Sequence, residues 1–493
     1  MSGSPQDPTR MPGRGVPRHL EDNVMEGRLA LADREAWAES QFCDAELGDA
    51  RRTKRLVTLA AMMAGNSSGS IPQQTGGGAA MKAAYRLFAA DGVTHAAVCQ
   101  PHFELTRQAA SELPLVFLVQ DTMVLNFTTH QSCQGLGPIG EGNGLRGLHQ
   151  QNVLAVDPRT RRPLGLMYQK HHRRAERPKG SHANRTGRRA LPLEQRESYW
   201  WIAAIRAIGR PPPGVRWVHV GDRGEDLFGV YDEARRQGTD WLIRVCQDRR
   251  ILTPEGKDRL LRYARSLAPR MQQMVSIRRR GAGVPEDVTL CVSGGPVTLL
   301  PCREDAHYRH RDPICCWVIR VWEASPPPGA EPLEWILCTS LCCQSEEALG
   351  FAAQGYGLRW MIEEFHKCEK TGCQVEMRRL EHADRLEPLI GLLSVLAVCL
   401  LQLKFVARDQ PQTPARDLFE EAMVEVMARY LDRPAKTLTT AEFWRGIGRL
   451  GGHPGRKGDG PIGWLRAWRG WQSFQLIMLG AHLSSPQGPE RCG

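Results

Sequence analysis

The sequence has no long uninterrupted hydrophobic run. Its most apolar stretch, Leu389 to Leu401, is broken by Gly391 and Ser394 and falls short of the roughly 20 apolar residues that a membrane-crossing helix needs. A buried core helix is expected there, and no membrane partner. No apolar segment follows Arg10, Arg14 and Arg18, so no secretory leader is visible. The 15 cysteines are odd in number and scattered. Cys338/Cys342 and Cys368/Cys373 lack the second pair that a zinc finger requires. These absences argue against a disulfide framework and predict reduced thiols in a cytoplasmic protein. No internal repeat is present either.

What is present is size and positive charge. At 493 residues the chain exceeds one ordinary core, and two to four domains are expected. A hydrophobic share of 41% and a charged share of 24% are those of a soluble globular protein. The net charge of +11 suits a polyanion, because each Lys or Arg set against a phosphate releases condensed counterions. Charge by itself does not separate nucleic acid from an anionic membrane.

Residues 1–30, rich in Gly, Pro and charge, read as a tail. A helical pattern fills 31–110. Within it Arg51, Arg52, Lys54 and Arg55 crowd into five positions just before the apolar Val57 to Met63, as on a phosphate-contacting helix or a solvated charged one. Across 111–250, strand-like runs alternate with helical ones: Leu115 to Val119 before Gln120-Asp121-Thr122, Trp217 to Val220 before Gly221-Asp222-Arg223, and Trp241 to Val245. This predicts a mixed α/β core. Short β-like pieces occupy 251–345, namely Val288 to Val292, Val297 to Leu300, Cys315 to Trp322 and Trp335 to Thr339, with Gly-Gly and Pro-Pro-Pro-Gly read as turns. Helical pattern returns over 346–404 and 405–480, before a tail at 481–493.

An aspartate after an apolar strand commonly caps a turn, so neither Asp121 nor Asp222 is informative alone. The segment Tyr356 to Lys370 gives them a context. Wound as a helix at about 100° per residue, it places Tyr356, Arg359, Glu363 and Lys370 within an arc of about 60°. Leu358, Met361, Ile362 and Phe365 fall opposite. A plain amphipathic surface helix has the same two sides. Phosphodiester hydrolysis, however, requires hard cations, and Mg²⁺ prefers carboxylate oxygens. Two strand-end aspartates and one helical glutamate can hold such ions, with Arg and Lys alongside to clamp phosphates.

The spacing Tyr-x2-Arg-x3-Glu-x6-Lys at Tyr356, Arg359, Glu363 and Lys370 resembles the YREK signature of bacterial DDE transposases of insertion-sequence family four, among them the Tn-five-type enzymes. Other segments in order carry the same resemblance: Leu47 to Leu56, Ala83 to Arg86, Val119 to Thr122, Asp222 to Asp226, Arg449 to Gly452, and Gly463-Trp464 to Trp471. The resemblance implies an RNase H-like catalytic core (111–250 and 346–404) with a β-rich insertion at 251–345. It also implies a helical DNA-end-binding domain at 31–110 and a helical dimerisation domain at 405–480.

The same resemblance makes Asp121, Asp222 and Glu363 ligands of two Mg²⁺ ions, for which Mn²⁺ substitutes. Glu363 is selected over its neighbour Glu364 by the spacing. Tyr356, Arg359 and Lys370 would contact DNA near the cut, Trp335 would stack on a flipped base, and Arg223 and Arg244 would lie nearby. Arg51, Arg52, Lys54 and Arg55 would contact DNA from the N-terminal domain. The implied activity is cleavage of transposon ends through a hairpin and their joining to target DNA, by a homodimer at the bacterial nucleoid.

The sequence departs from that pattern at Lys170 to Arg189, which holds eight Lys and Arg, three His and the single acid Glu176. The histidines lack regular ligand spacing. A mobile basic loop that contacts DNA, or a solvated one, is expected. Two other functions fit parts of the pattern: a nuclease of the same fold that does not join strands, and an inactive DNA-binding regulator.

Overall fold

The computed structural model describes residues 33–140, 144–175, 191–277, 286–303, 305–456, 459 and 462–484. The described residues open with five helices: α1 (Arg34–Phe42), α2 (Ala50–Gly65), α3 (Ile71–Thr75), α4 (Gly78–Phe88) and α5 (His95–Ser111). Asp49 caps α2 by accepting the Arg51 amide at 2.8 Å, which satisfies a donor that the first turn leaves free. Leu56, Leu59, Ala60 and Met63 are buried along α2, while Lys54 and Arg55 stay exposed.

Strand β1 (Leu115–Asn126) starts with the buried run Val116 to Val119. The sequence predicts a strand ending near Asp121, but β1 continues, because Met123 and Leu125 turn inward while Val124 and Asn126 face out. Asp121 therefore sits on a strand and is held on both sides. On one side comes a partner that the sequence pattern did not reveal. After the two-residue β2 (Gly137–Pro138), β3 (Arg146–Asp157) runs antiparallel to β1 and makes a hairpin with β4 (Arg162–His172). Lys170, His171 and His172 thus end a strand rather than begin a loop, and His171 is buried. Arg173 pairs with Asp384 and Glu387, and Arg174 with Glu197 at 2.6 Å. The rest of the basic segment, from Glu176 to Arg189, lies outside the described residues.

On the other side β5 (Arg216–Gly221) lies parallel to β1, and β6 (Asp240–Arg244) parallel to β5. Parallel neighbours need a crossover. Helix α6 (Tyr199–Ile208) precedes β5, and α7 (Phe228–Gln237) joins β5 to β6. The insertion follows: β7 (Arg250–Thr253), β8 (Gly256–Arg259), α8 (Leu260–Ser266), β9 (Met271–Ile277), β10 (Glu286–Leu299), β11 (Ile314–Glu323) and β12 (Glu334–Thr339). It extends the same sheet, because β12 pairs with β6 through Leu337 and Arg244. The order across the main path is β2-β3-β1-β5-β6-β12-β11-β10-β7-β8, with β4 on β3 and β9 on β10.

Val288 to Val292 and Val297 to Leu299 belong to one strand, β10, rather than two. Gly294 and Gly295 are not a turn but a site of close packing. A Cβ at Gly294 would lie 2.5 Å from Leu349 Cδ2, and one at Gly295 would lie 2.5 Å from the Tyr263 hydroxyl.

Helices α9 (Glu346–Tyr356), α10 (Trp360–Lys367), α11 (Ala383–Asp409), α12 (Glu421–Leu431), α13 (Thr440–Leu450) and α14 (Trp464–Ser484) complete the described residues. The apolar part of α11 is 89% buried, so it is the core helix that its broken hydrophobic run suggested. Helices α13 and α14 cross at Gly451 and Gly470. A Cβ on Gly470 would lie 1.7 Å from the Ile447 carbonyl, so no larger residue permits that approach. Residues from α1 to α4 and from α9 to α14 share one hydrophobic cluster with Phe117, Val119, Val218, Val220, Leu242 and Leu337. Helices α6 and α7 cover the opposite face, against Leu118, Trp217, Trp241 and Ile243.

Candidate active site

Strand register sets out the site. Asp121 stands opposite Asn152 of β3. Val119 pairs with Val220 and Val220 with Leu242, so two residues further along, Asp121, Asp222 and Arg244 follow one another across adjacent strands. Arg244 in turn pairs with Leu337, two residues from Trp335. Because side chains alternate, all of these residues share the face that carries Val119 and Val220. The row lies at the carboxyl ends of the parallel strands β5 and β6, where open α/β sheets present ligand sites.

Helix α10 brings Glu363 to this row. The predicted single helix from Tyr356 to Lys370 is instead four successive segments. Tyr356 ends α9, residues Gly357–Arg359 form a 3₁₀ turn leading into α10, and Cys368–Gly372 form a π turn. Arg359 contacts both acids from above. Its guanidinium pairs with the Glu363 carboxylate and lies 3.9 Å from Asp121 Oδ2. The π turn displaces Lys370 from the expected arc towards β1, where its ammonium donates to the Val124 carbonyl at 2.5 Å and pairs with Glu376 at 3.1 Å. π turns recur at functional sites.

The three predicted carboxylates thus form one electrostatic group. Burial, then the charge of Asp222, push Asp121 up to about 6; the Thr122 amide and Arg359 oppose the rise, and Glu363 adds to it. Asp222 caps the short turn after β5 by accepting the Gly224 amide at 2.7 Å, so its capping role and its place in the row coexist. Glu364 is engaged elsewhere. It is buried and paired with Lys404 of α11 at 2.5 Å and with Lys367 at 3.0 Å. Of the adjacent glutamates, the half-exposed Glu363 is the one on the site side.

Cations and aromatics border the acids. Arg244 is driven down chiefly by burial and next by Arg223, with Arg359 contributing and Tyr356 opposing. Three guanidinium groups that repel one another this way favour a polyanion. Trp335 lies 6.3 Å from the Tyr356 ring, centroid to centroid, at an angle of 55°, and is only partly buried. In the N-terminal helices, Arg52 is used internally: it donates to the Leu47 carbonyl at 3.1 Å and to the Asp91 carbonyl at 2.5 Å. Arg51 is exposed and paired with Asp49, and Lys54 and Arg55 complete an exposed basic edge.

Five functionally placed residues were not singled out from the sequence. Glu225 is fully buried with neither carboxylate oxygen hydrogen-bonded, and burial, Asp222 and Asp121 raise it far above the usual carboxylate range. Its carboxylate fills the space beside Gly221, where a Cβ would be 1.4 Å from Oε2. Asn152, Gln150 and Glu369 form a buried polar cluster next to Asp121, described below. Asp226, in the same motif as Asp222, is an anchor for the loop after β6. It accepts the amides of Cys246 and Gln247, each at 2.8 Å, and pairs with Arg249 at 2.8 Å.

Arg378 joins this region to the N-terminal helices, donating to the carbonyls of Ser67 (2.7 Å), Gly69 and Cys373 (2.6 Å). Among the described residues, no three Asp, Glu, His or Cys side chains are arranged to hold one metal ion. The guanidinium of Arg359 instead neutralises Glu363 and faces Asp121.

Residues 34–93 match the family description of a transposase DNA-binding domain. The chain therefore carries a segment of the transposase DNA-binding type across α1 to α4. A solved structure of piggyBac transposase in a synaptic complex with hairpin DNA aligns over 95% of this chain and 86% of that one. Its identity is 10% and its TM-score 0.36, a likeness too slight to bear on fold or function.

Proposed function

We propose that this protein is a DNA transposase whose RNase H-like core cleaves transposon ends at Asp121, Asp222 and Glu363 and joins them to target DNA. One observation carries the reading: Asp121 of β1 feels the charge of both Asp222, at the end of β5, and Glu363 of α10, beside Arg244, Arg359 and Tyr356, in a chain whose N-terminal helices match a transposase DNA-binding domain. The sheet supports it as well. Two parallel strands and an antiparallel hairpin flank β1, and a β-rich insertion precedes the last acid.

The donor chemistry fits Mg²⁺, or Mn²⁺ in its place. The acids are hard oxygen donors, and Asp121 is raised first by burial and then by the negative charge of Asp222 and Glu363, the second of which a divalent cation would relieve. Asp121, Asp222 and Glu363 would hold two such ions, whose Lewis acidity would serve the attacking and leaving oxygens. The chain's own groups do the rest. Arg359, Arg244, Arg223 and Lys370 hold phosphates, and Tyr356 and Trp335 offer rings beside the cut. Trp335 would stack on a base drawn from the duplex during hairpin formation, at an unstacking cost of a few kcal/mol. Lys54, Arg55 and Arg51 bind the end through phosphates, and exposed Leu476 and Leu479 on α14 suit a homodimer contact.

Purified protein incubated with its flanking inverted-repeat DNA and Mg²⁺ should cut at the repeat ends and yield joined products on plasmid DNA. Asp121→Ala should bind the ends without cutting. Cleavage that persists unchanged in Asp121→Ala contradicts the assignment, and cleavage without joined products reduces the protein to a nuclease.

A further inference from the structure

The hairpin β3–β4 carries polar side chains where a sheet interior is ordinarily apolar. Gln150, Gln151, Asn152 and Gln169 are all buried. Asn152 and Gln150 alternate onto the face that carries Asp121, and they meet the helix that carries Glu363. The Asn152 amide donates to His366 Nε2 at 3.0 Å, and the Gln150 amide donates to Glu369 Oε2 at 2.9 Å. Burial drives the His366 ring down to about 3, followed by the charges of Lys370 and Arg359. It is neutral, as an acceptor must be.

The cluster is closed on its remaining sides. Gln150 and Gln169 both donate to Asn152 Oδ1, at 3.0 and 2.8 Å. His171 reaches the Gln150 oxygen and His95 the Gln169 oxygen, each at 2.9 Å. Ser394 of α11 donates to Glu369 Oε1 at 2.8 Å. The side-chain oxygens and amide nitrogens of Asn152, Gln150 and Glu369 are all hydrogen-bonded, while His171 Nδ1 at the edge of the cluster is buried without a partner; a buried network satisfied at its centre favours one arrangement.

We propose that Asn152, Gln150 and Glu369 are positioning residues, which fix through this network where α10 presents Glu363 over Asp121. The inference rests on the metal-dependent reading of the three acids. His366 lies one helical turn beyond Glu363, and Glu369 a further turn on. Two attachments a turn apart set both the height and the rotation of the helix on β3. Asn152 is also the register partner of Asp121, so the strand that aligns one ligand grips the helix that carries another. Groups that orient metal ligands from behind govern metal affinity without touching the ion.

Three variants of the full chain test this: Glu369→Leu, Asn152→Leu and the conservative Glu369→Gln. Mn²⁺ binding to the folded protein is read by electron paramagnetic resonance, and hydrogen exchange is read in the metal-free protein. Both leucine variants should weaken Mn²⁺ binding about ten- to hundredfold, and Glu369→Gln by no more than about threefold. Amides of residues 360–372 should exchange about tenfold faster in the leucine variants, with those of α1 to α4 unchanged. Faster exchange with Mn²⁺ affinity unchanged means the network is merely structural and overturns the proposal. Unchanged exchange and affinity also overturn it and leave the metal reading intact. A wild-type protein that takes up no Mn²⁺, while the leucine variants still quicken exchange at 360–372, supports the network and overturns the metal reading.

Discussion

Strands β5 and β6 and the hairpin β3–β4 flank β1 on opposite sides, with contrary interiors. Val218, Val220 and Leu242 pack against apolar neighbours. Gln150, Asn152, Gln169 and His171 are also buried but tied by hydrogen bonds. Apolar packing is non-directional and tolerates small shifts. A hydrogen-bonded cluster holds only one geometry and is costly when a member is lost. The apolar side therefore supplies stability for the strand ends that carry Asp222 and Arg244. The polar side supplies alignment between Asp121 and the helix of Glu363.

The comparison breaks most sharply at the acids themselves. Asp222→Asn should slow end cleavage by a factor on the order of 10³ and leave end binding, measured by gel shift, nearly unchanged. An equal loss in both would mean that Asp222 only caps its turn. Next in size is Glu364→Gln, which leaves Lys404 without its carboxylate. Because the pair is partly solvent-screened, it should cost about 2 kcal/mol in urea unfolding, whereas Glu363→Gln should cost almost nothing. Gln150→Leu leaves Glu369 and His171 short of a partner, and should cost about 1–2 kcal/mol.

A smaller effect is expected with pH. Burial, opposed by Ser394 and Gln150, holds Glu369 up at about 7, and Asp121 is at about 6. Both favour the neutral carboxyl in the folded chain. Their contribution to stability is complete below the ordinary carboxylate values of 3.8 and 4.5 and is lost as pH rises through about 6 and about 7. The melting temperature of metal-free protein should fall across that window, and Glu369→Gln should flatten the part near 7. A slope that is unchanged in this variant would place the titration elsewhere. Smallest of all, Lys54→Gln or Arg55→Gln should each reduce the salt slope of end binding by about one, and Arg52→Gln should act mainly on stability.

The same contrast explains what the sequence discloses. Leu115 to Val119 and Trp217 to Val220 are apolar runs that stop at an acid, so the strands and their aspartates could be read directly. The hairpin could not, because Gln150, Asn152 and Gln169 replace the apolar half of the usual alternation. Lys170 to His172 consequently passed for the start of a loop. The stripe from Tyr356 to Glu363 was legible as helical spacing. The π turn that redirects Lys370 depends on contacts with β1 and α11 that no periodicity contains. Glu225 stands in plain view beside Asp222, but its burial follows from the missing side chain of Gly221.

The most direct measurement sets Glu363→Gln beside Glu364→Gln in Mg²⁺-dependent cleavage of the inverted-repeat ends. The site described above predicts that Glu363→Gln binds the ends and does not cut them, while Glu364→Gln cuts at near the wild-type rate below its lowered melting temperature. Cleavage retained by Glu363→Gln and lost by Glu364→Gln would contradict it.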